Sequence, residues 1–164
     1  MESKKEDYNE IARQWLESFL RNKYSKTDYV EVISPKSNIS KVENEEIKKY
    51  PNYSLLDFSS DVLGILTSKK TKRVRLVLLN RSTSAISVKE IGEMNIYSHI
   101  AKPEESFIVS LKGLPNEVNS LLLDEKICSS LLSYNDKNII ILKLDAGGRI
   151  DDKGTFPRSF KNSF

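Results

Sequence analysis

The sequence predicts a single α/β domain, a mixed sheet of about five strands flanked by helices. Near the N-terminus, apolar residues recur at intervals of three and four. In the middle, two apolar, β-branched runs are joined by a short polar turn. Beyond them, helix and strand patterns alternate as far as residue 144.

Tyr8, Ile11, Ala12, Trp15, Leu16, Phe19 and Leu20 put one apolar stripe on a helix from about residue 6 to 23. Tyr29 to Ile33 is β-branched and closed by Ser34-Pro35, which marks a short strand. Residues 36–52 are polar with little period and are expected to loop, with one helical turn near Glu45 to Lys49. Asp61 to Leu66 and Arg73 to Leu79, joined by Thr67-Ser-Lys-Lys-Thr-Lys, form a predicted hairpin whose second strand turns apolar on both faces and so belongs inside the sheet. Ser87 with Glu90 three residues on starts a helix carrying Val88, Ile91, Met94, Ile96 or Tyr97, and Ile100, ending near Ala101 before Pro103. Ser106 to Leu111 is the next strand. Asn116 is expected to cap a helix running through Val118, Leu121 and Leu122 toward Leu132, and Asn138 to Leu144 is the last strand. Residues 1–145 are thus one domain. Residues 146–164 show no period and are expected to form a C-terminal tail, loosely ordered or docking Phe156, Phe160 and Phe164 on the domain or on a partner.

Composition excludes several classes of protein. With 38% hydrophobic and 30% charged residues the chain is neither disordered nor a helical membrane protein, and its longest apolar runs, such as 139–142, are too short to span a bilayer. The only cysteine, Cys128, rules out a disulfide framework and reads as a small buried hydrophobe. The only histidine, His99, rules out a His-rich zinc site and lies in no nucleophile signature. Met1-Glu-Ser-Lys-Lys-Glu-Asp7 contains no apolar run of the kind that directs secretion, so a cytoplasmic location is expected. The net charge of +3 says little alone, but Lys69, Lys70, Lys72, Arg73 and Arg75 gather around one turn. They suit phosphate contact, or a charged tip that keeps the protein soluble.

The element order and its central residues resemble the PD-(D/E)XK nuclease superfamily, the restriction-endonuclease-like fold, whose core runs α-β-β-β-α-β, followed here by a further α-β. Asp61-Val-Leu-Gly-Ile-Leu looks like the strand opening with the metal-binding aspartate. Leu76-Val-Leu-Leu-Asn-Arg-Ser82 looks like the strand ending in E-x-K, and Glu93-Met-Asn-Ile-Tyr97 is similar to the Q-x-x-x-Y motif of the RecB-like branch. Ser106 to Ser110 is then the strand that follows, and the resemblance covers roughly residues 8 to 112.

The resemblance implies phosphodiester cleavage by a Mg²⁺ or Mn²⁺ ion held between carboxylates, with a lysine acting on the attacking water. The chain departs from that pattern. Asn80 and Ser82 occupy the E-x-K slots and Ser60 replaces the preceding proline. A neutral amide is a weak ligand for a hard cation, and a serine brings no positive charge to the water. Lys89, Glu93 and Tyr97 share one helix face at i, i+4 spacing, so Lys89 and Glu93 could supply the missing lysine and acid, with Asp61 and Glu93 holding the metal; the plainer reading is a surface ion pair. Asp57 is either a second carboxylate or a turn cap.

The leading expectation is a degenerate nuclease fold that binds nucleic acid, DNA foremost, without cleaving it, or serves in assembly. Phosphates would meet the hairpin from Lys69 to Arg75, Arg81 and Lys89 near the former site, and Lys153, Arg158 and Lys161 in the tail. The alternatives are an active Mg²⁺ or Mn²⁺ nuclease using Asp61, Glu93 and Lys89, and a protein-interaction subunit, in keeping with the frequent homodimers of the superfamily.

Overall fold

The structure is a computed structural model and describes residues 2–158 and 160. Helix α1 (Glu2–Tyr24) buries Tyr8, Ala12, Trp15, Leu16, Phe19 and Leu20 of the predicted stripe and leaves Ile11 half-buried, while Arg13 bridges Glu10 and Glu17 on its wet side. The chain continues through β1 (Asp28–Ile33), a loop holding the short α2 (Glu45–Lys48), β2 (Val62–Ser68), β3 (Val74–Ser82), α3 (Val88–Ala101) and β4 (Glu105–Ser110). Helices α4 (Asn116–Leu122) and α5 (Glu125–Leu132), a small hairpin of β5 (Ser133–Tyr134) and β6 (Lys137–Asn138), then β7 (Ile140–Leu144) and β8 (Ile150–Phe156) complete it.

The sheet is mixed and six-stranded, in the order β1-β2-β3-β4-β7-β8. β1, β2 and β3 form an antiparallel meander, β3, β4 and β7 run parallel through helical crossovers, and β8 returns antiparallel along β7. The middle strands are buried on both faces, as a sheet covered twice requires. Leu63, Ile65, Leu76, Leu78, Ile108 and Ile141 pack under α3, α5 and the 36–58 loop. Val62, Leu66, Val77, Leu79, Phe107, Val109 and Leu142 pack under α1. Gly64 is what lets α1 lie so close, because a Cβ there would sit 2.6 Å from Leu20 Cδ1 and 3.0 Å from Val77 Cβ.

Several expectations need correction. The sheet has six strands, not about five, because residues 150–156 of the expected tail form β8; its Thr155 hydroxyl accepts from the Lys143 amide and donates to the Asp151 carbonyl. Docking of the tail is seen for Phe160, whose ring lies 5.7 Å from that of Phe19 and 5.9 Å from that of Phe107. Phe164 and Lys161 fall outside the described residues.

The expected helix from residue 116 to 132 is two helices, since Asp124 accepts from the amides of Lys126 and Ile127 and so starts α5 afresh. Asn116 is the first helical residue of α4, with Pro115 in the cap position. The start of the predicted last strand folds instead into the β5–β6 hairpin, whose turn residues Asn135 and Asp136 both take positive φ, as a two-residue type I′ turn demands. The Ser87–Glu90 capping box is present, but α3 turns Val88, Ile96 and Ile100 to solvent and buries Ser98, whose hydroxyl meets that of Ser106 at 2.8 Å. The 36–52 loop has its helical turn where predicted, yet it is not simply a surface loop: Ile39 and Ile47 are fully buried.

Gly64→Ala is expected to destabilise the protein by about 2 kcal/mol through overpacking against α1. Urea unfolding should show a lower midpoint with an unchanged slope.

Candidate functional site

The residues singled out in the sequence fall at opposite ends of the β2–β3 ladder. Its register runs from Val62 opposite Leu79 to Thr67 opposite Val74. At ~3.3 Å per residue, roughly 20 Å separates the Asp61 end from the basic turn. They do not form one site.

At the Asp61 end a shallow pocket of about 210 Å³ is lined by Ser59, Asp61, Asn80, Arg81, Glu90, Glu93, Tyr97 and Ile108. The fold therefore gathers four of the six residues expected to be catalytic. Asp61 and Asn80, however, spend themselves on the backbone. Asp61 Oδ2 accepts the Arg81 amide at 2.8 Å, and the Asp61 amide donates to Asn80 Oδ1 at 3.1 Å, a reciprocal clasp where the strand pairing stops. Ser82 Oγ accepts the Ser84 amide and shapes the turn toward α3. Glu90, which the sequence reading did not place in the site, accepts from the amide and hydroxyl of Ser87 in the capping box. Lys89 and Glu93 are an exposed pair 4.0 Å apart, and Tyr97 stacks on Phe58 with ring centres 4.3 Å apart. Asp57 accepts from the Asn38 side chain, consistent with a turn contact.

For a Mg²⁺ or Mn²⁺ ion the donor set is sparse: Asp61 and Glu93 line the pocket, with Glu90 engaged in the capping box. Among the described residues no three metal-ligating side chains come together, and the acid expected to anchor the ion already holds a backbone amide. Arg81 has a partner the sequence did not show. It borders the pocket, as expected, but its Nε donates to Asn9 Oδ1 on α1, because odd-numbered residues of β3 face that helix.

The other end is basic and better exposed. Lys69, Lys70, Lys72 and Arg73 are all exposed on the turn. The Lys69 and Lys72 ammonium groups lie 5.5 and 5.4 Å from the ring centre of Tyr29, which is itself 57% exposed at the start of β1. Sequence reasoning missed Tyr29, since only the β1–β2 pairing brings it beside the turn, opposite Thr67. Lys69 also donates to the Ser25 carbonyl.

Arg75 does not belong with this group. It faces α1, donates to Asp28 at 2.7 Å, lies 3.1 Å from Glu104 and stacks over Tyr24. Burial alone would raise the Asp28 carboxyl, but the Thr27 hydroxyl and the Arg75 guanidinium outweigh it and hold the pKa below the ordinary value. The remaining tail cations stand apart: exposed Lys153 is on β8, at the sheet edge away from β1, and exposed Arg158 follows it. No helix among the described residues is long and apolar enough to cross a membrane. No family model and no curated protein matches the chain.

Arg75→Gln should strand the buried Asp28 charge and cost about 3 kcal/mol at neutral pH. Asp28 has a depressed folded pKa, so its stabilisation is full above the unfolded value of about 4 and fades as pH falls through the folded one. In the variant that acid-dependent loss should shrink, because protonation then relieves the unpaired charge; urea titrations from neutral to acid pH read both effects.

Proposed function

We propose that this chain is a nucleic-acid-binding module of restriction-endonuclease-like build whose nuclease motif is degenerate. The six-stranded mixed sheet with helices on both faces, and the helix-strand order through β4, support the fold reading. Asn80 and Ser82 in place of an acid and a lysine, with Asp61 committed to the Arg81 amide, support the loss of metal chemistry.

The observation that carries the binding reading is the tip. An exposed tyrosine ring lies under two ammonium groups, with Lys70 and Arg73 displayed beside them. Cations of this kind contact phosphates without reading sequence, while an aromatic face accepts any base by stacking. That combination favours a single strand over a duplex, whose bases are already stacked on each other.

Anisotropy titrations with labelled single-stranded DNA and RNA test this. Four phosphate contacts predict a slope of log K against log salt near −3. Lys70→Ala with Arg73→Ala should flatten that slope by about 1.4, and Tyr29→Ala should weaken binding by about 1–3 kcal/mol with the slope retained. A salt-independent affinity, or none, would remove the nucleic-acid reading.

The second reading, an active nuclease using Asp61, Glu93 and Lys89, is favoured by one observation, the convergence of Asp61 and Glu93 on one pocket with Tyr97. In Mg²⁺ or Mn²⁺ we expect no cutting of DNA or RNA. Asp61→Ala should then cost only about 1 kcal/mol of stability, from the lost acceptor for the Arg81 amide. Metal-dependent cleavage that disappears in this variant would favour the enzyme instead.

A further inference from the structure

β1 lies at one edge of the sheet and β8 at the other, and it is β8 that carries the features which keep an edge from pairing further. Its register along β7 is broken by a shift between Ile141 and Lys143, and Asp151, Asp152, Lys153 and Gly154 follow one another along it. β1 instead holds six consecutive pairs with β2 and contains neither proline nor glycine.

The Ser68 amide donates to the Arg73 carbonyl and the Lys69 amide to the Thr27 carbonyl, so even-numbered residues of β2 bond to β3 and odd-numbered ones to β1. In that phase Tyr29, Glu31 and Ile33 are bonded to β2. The amides and carbonyls of Asp28, Val30 and Val32 point outward, with no partner among the described residues. A groove of about 350 Å³ opens on this strand, lined by Tyr29, Val30, Glu31, Glu46, Ile65 and Thr67. Three charges near the edge also form no ion pair among the described residues: Glu31 accepts from the Asn44 side-chain amide, Lys69 donates to the Ser25 carbonyl, and Lys69 and Lys72 lie over the Tyr29 ring.

We infer that β1 pairs with β1 of a second copy of this chain, about a two-fold axis at Val30, and joins the two sheets into one. A two-fold axis normal to the sheet sets the two strands antiparallel. Asp28 then bonds to Val32 of the second copy and Val30 to its own counterpart, in all about six backbone hydrogen bonds. Tyr29, with Lys69 and Lys72 over its ring, stands directly opposite Glu31 of the second copy, and symmetry repeats the match. The neighbouring registers are worse. An axis at residue 31 sets Glu31 against its own counterpart, and an axis at residue 29 sets Val32 against Lys26, which lies outside the strand. An unrelated peptide could satisfy the same backbone groups but not this charge match. The pairing goes beyond the nucleic-acid reading and does not rest on it.

A seam of one short strand belongs to the small, transient class of interface, so sedimentation equilibrium of the full chain should show monomer–dimer exchange with a Kd of about 100 μM or tighter. As the concentration rises through that range, amide exchange followed by NMR should slow at Val30 and Val32 and stay constant at Glu31, which β2 already holds. Glu31→Lys should weaken the dimer about tenfold or more, and adding Lys69→Glu and Lys72→Glu to that variant should restore it. A chain still monomeric at about 1 mM, a dimer whose Val30 and Val32 amides exchange no more slowly, or an undiminished dimer in Glu31→Lys would overturn the assignment. So would slowing at those amides that requires added single-stranded DNA. The exchange measurement uses the unaltered chain, so it decides the matter even where a variant fails to fold.

Discussion

The middle of the sheet is apolar on both faces, and that constraint governs the rest of the molecule. Leu63 and Ile65 point one way from β2, and Val62 and Leu66 the other; β3 repeats the pattern with Leu76 and Leu78 against Val77 and Leu79. Such strands cannot face water on either side. The chain covers one face with α1 and the other with α3, α5 and a loop pinned by Ile39 and Ile47. The close approach of α1 demands a glycine at position 64, and Phe160 closes the aromatic group formed by Trp15, Phe19 and Phe107. With both faces occupied, the open polar surface above the sheet lies at its two ends.

Those ends have been put to different uses. At the Asp61 end, the polar side chains singled out in the sequence satisfy backbone groups: the Asp61 carboxylate and Asn80 amide close the ladder, and Ser82 and Glu90 shape the turn and cap before and at α3. At the tip end, four exposed cations surround Tyr29, with Lys69 and Lys72 over its ring and Lys69 also bonded to the Ser25 carbonyl. Period two along β3 turns Arg75 and Arg81 toward the α1 side of the sheet, where their guanidinium groups find partners, Asp28 on β1 for one and Asn9 on α1 for the other. A buried carboxylate such as Asp28 needs that partner, so Arg75 is committed to the fold.

Much of the architecture was legible in the sequence because it is written in local period and local capping. The stripe from Tyr8 to Leu20, the turn between β2 and β3 and the Ser87–Glu90 box each lie within a short window and reappear in the structure. The misreadings share a cause. β8 is too polar and irregular to show a period, and it is a strand because β7 offers it a pairing edge. The face of α3 that carries Ile96 and Ile100 resembles a core stripe, but the sheet meets the face with Ile91, Met94 and Ser98. At the candidate site, the letters at Asp61, Asn80 and Ser82 were readable, while the amides they hold were not.

By itself the sequence determined the class of fold, most of its helices and strands, and the residue types available for chemistry. These depend on spacing within one segment, where side-chain direction follows from helical or extended geometry. Tertiary structure alone decided which of those residues meet: that the basic turn and the Asp61 pocket lie at opposite ends of one ladder, that Tyr29 joins the lysines, and that Arg75 turns inward. Each is a contact between segments distant in the chain, set by strand register and by which face a helix covers, and neither quantity is encoded in any short stretch of sequence.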